Sequence, residues 1–212
     1  MFSGAIEVEA QPQDQAPLYQ VDSTWPKPLP NQWLVGAVVG VAVDSKDHVW
    51  IVHRPATLQP NETRSIWRAA PPVIEFDSEG NVVSAWGGPA NGYDWPDLEH
   101  GIYVDVDDHV WLGGGGPEDA QILKFTRNGK FVMQIGRKGQ NGGSNDMENL
   151  GGAAHMVMDH ATNELYVADG YVNHRMIVFD AESGAYKRHW GAYGNSPDDA
   201  YFEDAGEYLP SP

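Results

Sequence analysis

Residues 100–114 read HGIYVDVDDHVWLGG, and this stretch is the clearest indication of the fold. An apolar run ends at Asp105, a polar turn follows, and a second apolar run is centred on Trp111. Short runs rich in Val, Ile and aromatic residues, separated by Asp and Gly, are typical of β-strands joined as a hairpin. The stretch therefore predicts the first two strands of an antiparallel sheet.

The same pattern occurs three times along the chain. The first copy is VVGVAVDSKDHVWIVHRP, residues 38–55, and the third is AHMVMDHATNELYVADG, residues 154–170. After a loop, each copy continues with a strand that ends in Phe (Phe76, Phe125 or Phe179), a Gly-containing turn and a fourth strand that ends in Trp-Gly or Ile-Gly. The chain therefore contains three similar units of four strands each.

The spacing of the units favours a β-propeller. The Asp residues that end the first strands are 61 and 54 residues apart, which suits propeller blades of about 40–50 residues with loop insertions. Four-stranded sheets of this kind bury their faces by stacking around an axis, and a closed ring normally takes about 4–8 of them. No long stretch has the apolar spacing of a helix. We therefore expect an all-β propeller fold with about three four-stranded blades and an incomplete ring in this chain.

This interpretation divides the chain into three regions. Residues 1–24 are expected to be a flexible lead-in, residues 25–191 the blades (about 25–99, 100–153 and 154–191), and residues 192–212 a linker toward a missing fourth blade. Either the ring continues beyond this chain, or two copies pair through their open flanks. An exposed apolar flank favours self-association in either case.

The composition restricts the classes of partner. The chain has 212 residues and a formal net charge of −17, which repels phosphate backbones and anionic lipid surfaces, so we expect no nucleic-acid partner. It has no Cys, which removes disulfides and thiolate metal sites. No run approaches the ~18 apolar residues of a membrane span. The first twenty residues lack the basic start and apolar centre of a signal peptide.

Two histidines open the first strands of their units, near the expected propeller axis. His100 fits either an axial metal ligand that binds through a neutral imidazole or an ordinary loop histidine. His155 is a further candidate, but it precedes its Asp by four residues whereas His100 precedes its Asp by five. Because side chains alternate between the faces of a strand, the two histidines are not expected to form a pair on spacing alone.

Two other residues carry chemistry at the ends of predicted strands. Arg54 follows His53 and suits either bidentate binding of a carboxylate or pairing with one of the many acids in the chain. Tyr171 lies in a turn, where it fits either a functional phenol or a ring that covers the blade edge. The run Gly113–Gly116 has no predicted helix after it and is interpreted as a loose loop rather than a phosphate site.

Three motifs carry a resemblance to a known family. In GVAVD…HVWIVHRP, HGIYVD and DGYVNHR, the chain resembles the NHL-repeat propellers of the six-bladed, TolB-like type. Within that group it resembles the peptidyl-α-hydroxyglycine amidating lyases, over about residues 25–191. The resemblance implies a periplasmic or secreted location. It also implies a lyase that breaks a carbon–nitrogen bond to give a peptide amide and glyoxylate.

The resemblance also implies roles for individual residues. Arg54 matches the active-site arginine, Tyr171 the catalytic tyrosine, and His100 the first of three zinc-binding histidines. The backbone carbonyls of Val41 and Ile102 match two ligands of a structural calcium ion. The implied cofactors are therefore zinc and calcium. The other zinc ligands and the calcium aspartate belong to later blades of the family, which this chain lacks.

Two functions follow from these observations. The first is a ligand- or protein-binding scaffold, a segment of a longer propeller that binds a small molecule or peptide near the axis. The alternative is a zinc-dependent enzyme similar to the amidating lyases, whose site needs the missing blades.

Overall fold

The computed structural model describes residues 18–200, and the expectations for residues 1–17 and 201–212 lie outside them. Apart from three short 3₁₀ turns (Pro30–Gln32, Pro55–Thr57 and Ala192–Gly194), the regular structure of residues 18–199 is β-strand. The strands are β1 (Trp33–Leu34), β2 (Ala37–Val43), β3 (Val49–Arg54), β4 (Arg68–Ala69), β5 (Val73–Phe76), β6 (Val82–Trp86), β7 (Glu99–Val104), β8 (His109–Gly114), β9 (Gln121–Thr126), β10 (Phe131–Gly136), β11 (Ala153–Asp159), β12 (Glu164–Asp169), β13 (Arg175–Asp180) and β14 (Tyr186–Trp190).

Twelve of these strands form three sheets of four. The first sheet has the order β2-β3-β5-β6, the second β7-β8-β9-β10 and the third β11-β12-β13-β14, and all neighbours within them are antiparallel. The remaining pair, β1 with β4, is parallel. The prediction of an all-β chain with four-stranded antiparallel sheets is confirmed. In the described part of the chain, no helix is long and apolar enough to cross a membrane.

A buried aspartate organises the first hairpin of the first two sheets. Asp105 Oδ1 accepts the backbone N–H groups of Asp107 (3.0 Å) and His109 (2.8 Å), and its Oδ2 accepts the indole N–H of Trp111 (2.9 Å). The turn between the strands contains Asp108 at φ 62°, a left-handed conformation that Asp tolerates better than most residues. The aspartate therefore satisfies the turn backbone and fixes the aromatic side chain at once.

The first sheet repeats this arrangement, and the third does not. Asp44 accepts the indole N–H of Trp50 at 3.0 Å, and Trp50, like its counterpart in the second sheet, is fully buried. In the third sheet Tyr166 takes the tryptophan's place, but its hydroxyl donates to Glu164 at 3.0 Å. Tyr166 follows Asp159 by seven positions, whereas Trp50 follows Asp44 by six, and Asp159 is exposed. The third turn therefore keeps the strand register, but the carboxylate that binds the aromatic side chain comes from Glu164 instead of the aspartate.

The core lies between the sheets. The second strand of the first sheet, including Trp50 and Val52, packs against apolar residues of the second sheet such as Leu112 and Phe125. The opposite face of the second sheet packs in the same way on the third, and the outer face of the first sheet is covered by the segment that contains Trp25 and Trp33. Successive sheets therefore bury one another's faces.

The joints between successive sheets differ in their charged groups. Glu75 pairs with Trp50 in the first sheet, and Lys124 pairs with Trp111 in the second sheet, so the two occupy equivalent positions. The residue of the next sheet at each joint lies two positions after a phenylalanine: it is Arg127 at the first joint and Ala181 at the second. At the first joint, the Arg127 guanidinium binds Glu75 and Asp44. At the second joint, the Lys124 ammonium donates to the Ala181 carbonyl at 2.9 Å. Each joint therefore has its own polar contact.

The outer face of the third sheet has no neighbouring sheet among residues 18–200. Val157 on this face is 48% exposed, whereas Tyr166 packs edge-on against Trp190. Arg188 forms two hydrogen bonds to Glu164 beside them. The expected exposed flank is thus only partly apolar, and self-association through it stays a prediction.

Candidate functional site

Arg54 ends β3 and reaches across to the second sheet. Its Nε donates to the backbone carbonyl of Glu99 at 2.9 Å, and it makes no ion pair with an acidic residue among residues 18–200. The preceding His53 is fully buried, donating from Nε2 to the Pro71 carbonyl (3.0 Å) and accepting the Gly36 N–H at Nδ1 (3.2 Å). Burial lowers the pKa of His53, partly opposed by the hydrogen bond to Pro71. His53 is therefore held in the core by hydrogen bonds to both ring nitrogens, and the charged group at this end of β3 is the Arg54 guanidinium.

His100 and Tyr171 are in direct contact. His100 Nδ1 lies 3.1 Å from the carbonyl of Ala154. A carbonyl oxygen only accepts, so Nδ1 carries the hydrogen, and in the neutral ring Nε2 is left to accept the hydrogen bond from the Tyr171 hydroxyl. The ring centroids are 4.9 Å apart and the rings meet edge to face at an angle of 68°. The second sheet thus presents an imidazole to a phenol of the third.

The three side chains lie at one end of the sheets. Arg54 binds the carbonyl of the residue that precedes His100, and His100 binds Tyr171. Each of the three comes from a different sheet. A cation, an imidazole and a phenol therefore lie together at the end where β7 begins.

The loop that carries Tyr171 is held by a buried ion pair. Asp169 and Arg175 are both buried and form an ion pair with an N–O distance of 2.9 Å. Asp169 also accepts hydrogen bonds from the Gly151 N–H (2.7 Å) and the Asn173 amide (2.8 Å). These contacts hold both ends of the loop in place. Tyr171, which is half-exposed, therefore lies on a well-anchored turn.

Glycines make room for the contact between the two rings. A Cβ added at Gly115 would lie 3.1 Å from the Tyr171 ring and 3.5 Å from the His100 ring. One added at Gly152, which has φ +86°, would lie 2.8 Å from the Tyr171 Cβ. The interpretation of Gly113–Gly116 as a loose loop is therefore wrong for Gly113 and Gly114, which belong to β8, while Gly115 follows the strand and packs against the site.

Asp119 anchors the glycine run and the segment before His100, and sequence reasoning missed it. Its fully buried carboxylate accepts backbone N–H groups from Asp97 (2.7 Å), Leu98 (3.0 Å) and Gly116 (2.9 Å). Its only sequence signal is an acid in a polar turn before a strand, a common pattern. Its role depends on three backbone groups that come together only in the folded chain.

The remaining candidates lie close to the site in the chain but do not join it. His155 is exposed and makes no hydrogen bond or ring contact with His100 or Tyr171 within residues 18–200. Val41 and Ile102 lie on the first strands of neighbouring sheets, which come close together, since a Cβ on Gly40 would be 2.6 Å from the His100 carbonyl oxygen.

The described residues do not complete the implied metal sites. Within residues 18–200, the one group of three or more His, Asp or Glu side chains close enough to share a metal ion is Asp44, His48 and Glu75. It lies at the opposite end of the first sheet, and the Arg127 guanidinium supplies its positive charge. A zinc site usually takes three protein ligands, and His100 provides one. The donor set of the described residues therefore does not fit zinc, and two carbonyls alone do not fit calcium.

Comparison with known proteins shows distant similarity to amidating enzymes. No family model matches the chain. It is 27% identical over 185 residues to the peptidylglycine α-amidating monooxygenase of Rattus norvegicus, an alignment that covers 77% of the chain and 17% of the relative. It is also 27% identical over 194 residues to the peptidyl-α-hydroxyglycine α-amidating lyase 1 of Drosophila melanogaster, with 82% of the chain and 32% of the relative covered. The chain thus spans less than a third of the length of these relatives.

Solved structures with partial similarity include two enzymes. A catalytically inactive virginiamycin B lyase from Staphylococcus aureus, solved with quinupristin, has a TM-score of 0.46 and 14% identity, covering 79% of this chain and 45% of its own. The hydrazine synthase of Kuenenia stuttgartiensis has a TM-score of 0.48 and 10% identity, covering 77% and 38%.

Proposed function

We propose that the chain is a segment of a β-propeller and that its three sheets, about residues 25–99, 100–153 and 154–191, are consecutive blades of the NHL type. Sheets of four antiparallel strands whose first strands lie side by side support this arrangement. In this proposal residues 192–212 lead to a further blade, and the ring is incomplete in this chain.

The segment acts as a binding scaffold for a small molecule or peptide that bears a carboxylate. One observation carries this proposal: Arg54, His100 and Tyr171, from three different sheets, lie together at one end of the assembly. Arg54 uses Nε to bind a backbone carbonyl, which leaves its two terminal nitrogens for a ligand carboxylate. The phenol and imidazole beside it add polar contacts that fix the orientation of the ligand.

A second candidate function is a lyase similar to the amidating enzymes. The contact of Tyr171 with His100 favours it, because a phenol beside an imidazole is equipped to move a proton. The similarity to a peptidyl-α-hydroxyglycine α-amidating lyase supports the same chemistry. Within residues 18–200, His100 is one of the three protein ligands that a catalytic zinc usually takes. The enzyme therefore requires ligands from outside residues 18–200.

One set of measurements separates the two functions. Calorimetry compares N-acetyl-glycylglycine with its C-terminal amide, for the chain and for Arg54→Ala. A second assay follows glyoxylate release from a peptidyl-α-hydroxyglycine in the presence of zinc and calcium. The scaffold predicts that the acid binds more tightly than the amide, that Arg54→Ala removes this preference, and that no glyoxylate forms.

Each alternative result has a definite meaning. Turnover of about 1 s⁻¹ or more, abolished by Tyr171→Phe, would establish the lyase instead. Equal binding of the acid and the amide would contradict the carboxylate-binding scaffold.

A further inference from the structure

A cleft lies at the outer edge of the second sheet. It has a volume of about 580 Å³, within the range of small-molecule sites, and is formed by residues 92–94, the end of β10 and residues 137–149. In a meander of four strands, the last strand ends where the first begins, so the cleft opens at the same end as His100. Three strand spacings, about 14 Å, separate β10 from β7. The cleft shares none of the residues of the site described above.

The floor of the cleft is a fixed polar network. Asp94 donates its backbone N–H to Gln134 Oε1 (2.8 Å), and the Gln134 amide donates to Asp94 Oδ2 (2.8 Å) and to the Gly136 carbonyl (2.8 Å). Beneath it, Gln121 is buried and donates to the Asp94 carbonyl at 3.0 Å. Reciprocal hydrogen bonds of this kind hold donors and acceptors in place before a ligand arrives.

The walls present polar groups that the protein does not use internally. Within residues 18–200, the side chains of Arg137, Gln140 and Glu148 form no hydrogen bond or ion pair. The Arg137 backbone N–H donates to Asn149 Oδ1 at 3.0 Å, which ties the start of this wall to its end. Lys138 forms an ion pair with Asp97, which joins the wall to the loop on the other side. The cleft is thus anchored at both rims while its side chains face an open volume.

The chemistry of these groups selects a class of ligand. Asp94 and Glu148 offer acceptors, Arg137 offers donors, and Gln140 offers both. Two carboxylates and one guanidinium give the lining a net charge of −1, which disfavours a simple anion and gives a simple cation little advantage, and the scarcity of apolar side chains disfavours a hydrophobic ligand. A hydroxyl group both donates and accepts. We propose that this cleft binds an uncharged polyhydroxylated ligand of the carbohydrate class.

The test uses NMR titration of the ¹⁵N-labelled full chain. The probes are N-acetyl-D-glucosamine and maltose, with acetate and choline as charged comparisons. The test variant combines Gln140→Ala and Glu148→Ala, two exposed side chains without internal hydrogen bonds. The control variant combines Glu79→Ala and Asn128→Ala, which removes the same kinds of group from the β5–β6 and β9–β10 turns, at the opposite end of the strands from the cleft.

The expected result is a saccharide-dependent shift of the amides that line the cleft. Loss of two direct hydrogen bonds should weaken binding about 10- to 30-fold in the test variant and leave it unchanged in the control. The proposal is overturned if neither sugar shifts these amides, if both variants bind equally, or if acetate or choline binds and the sugars do not. Because Arg54 is intact in both variants, binding of the N-acetyl-glycylglycine probe tests the other site separately.

Discussion

Replacement of Asp44 by Asn tests the buried carboxylate that organises the first hairpin. The change keeps the size of the side chain, and Oδ1 of Asn still accepts the backbone N–H groups of Lys46 (2.8 Å) and His48 (3.0 Å). The other end becomes an amide N–H₂ that faces two donors, the Trp50 indole and the Arg127 guanidinium. The substitution therefore removes a charge and places donors against donors.

The pKa of Asp44 gives the size of the effect. Burial opposes ionisation, but hydrogen bonds from Trp50, Lys46, His48 and Arg127 outweigh it and lower the pKa from 3.8 to about 2. A shift of that size corresponds to about 2.5 kcal/mol of folding free energy. Because the folded pKa is below the unfolded one, this contribution is present above about pH 4 and is lost as the pH falls toward 2. We expect Asp44→Asn to cost about 2–4 kcal/mol at pH 7.

Urea unfolding followed by tryptophan fluorescence measures this cost. Asp159→Asn is the matched control, because Asp159 holds the equivalent position in the third sheet but is exposed and contacts neither an indole nor a guanidinium. Its cost should be under about 0.5 kcal/mol. The difference between wild type and Asp44→Asn should shrink as the pH is lowered from 5 to 2. Equal costs for the two variants, or a difference that does not change with pH, would refute the reasoning.

Three further predictions follow from the glycine run, the buried histidine and the second joint. Gly115→Ala should weaken binding of N-acetyl-glycylglycine about tenfold in calorimetry, because its Cβ would meet the tyrosine ring at 3.1 Å, whereas Gly170→Ala, with open space around its Cβ, should not. Burial lowers the pKa of His53, so the free energy of unfolding should fall as the pH drops below about 6.5, and His53→Gln should reduce this slope in urea titrations; an unchanged slope would contradict the assignment. Lys124→Glu should lower the free energy of unfolding by about 3 kcal/mol or more, because it removes the hydrogen bond to Ala181 and buries an unpaired carboxylate. In a double-mutant cycle, the added change Ala181→Arg should recover at least about 1 kcal/mol of this loss, and a coupling energy near zero would contradict the equivalence of the two joints.

The strands were predictable because their signals are local. The apolar runs on either side of Asp105 and the Asp and Gly residues between them specify hairpins without help from distant residues. The altered third turn was less predictable. One extra residue and a tyrosine in place of tryptophan leave Tyr166 in register, yet Asp159 becomes exposed, and a pattern that records residue types does not record burial.

The sequence singles out Arg54, His100 and Tyr171 as candidates, but it does not indicate their geometry. The repeat places Arg54 and His100 at strand ends, whereas the contact of His100 with Tyr171 joins residues 71 positions apart. Asp119 was missed and Gly115 was assigned to a loose loop, because each looks like an ordinary loop residue. Their roles come from backbone groups and rings that approach only after the sheets have packed.

The charged positions at the joints explain why the sheets occur in this order. If the second sheet were followed by a copy of itself, the buried Lys124 would face the partly buried Arg127, and the two like charges would repel each other. If the first sheet were followed by the third, Glu75 and its neighbouring carboxylate would be buried against Ala181 without a cation, a cost of several kcal/mol. At the position equivalent to Glu75 and Lys124, the third sheet has Val178, which is buried and uncharged. This residue needs no charged partner from a neighbouring sheet. The aligned apolar residues therefore specify a sheet, and the residues that differ between the repeats specify which sheet comes next.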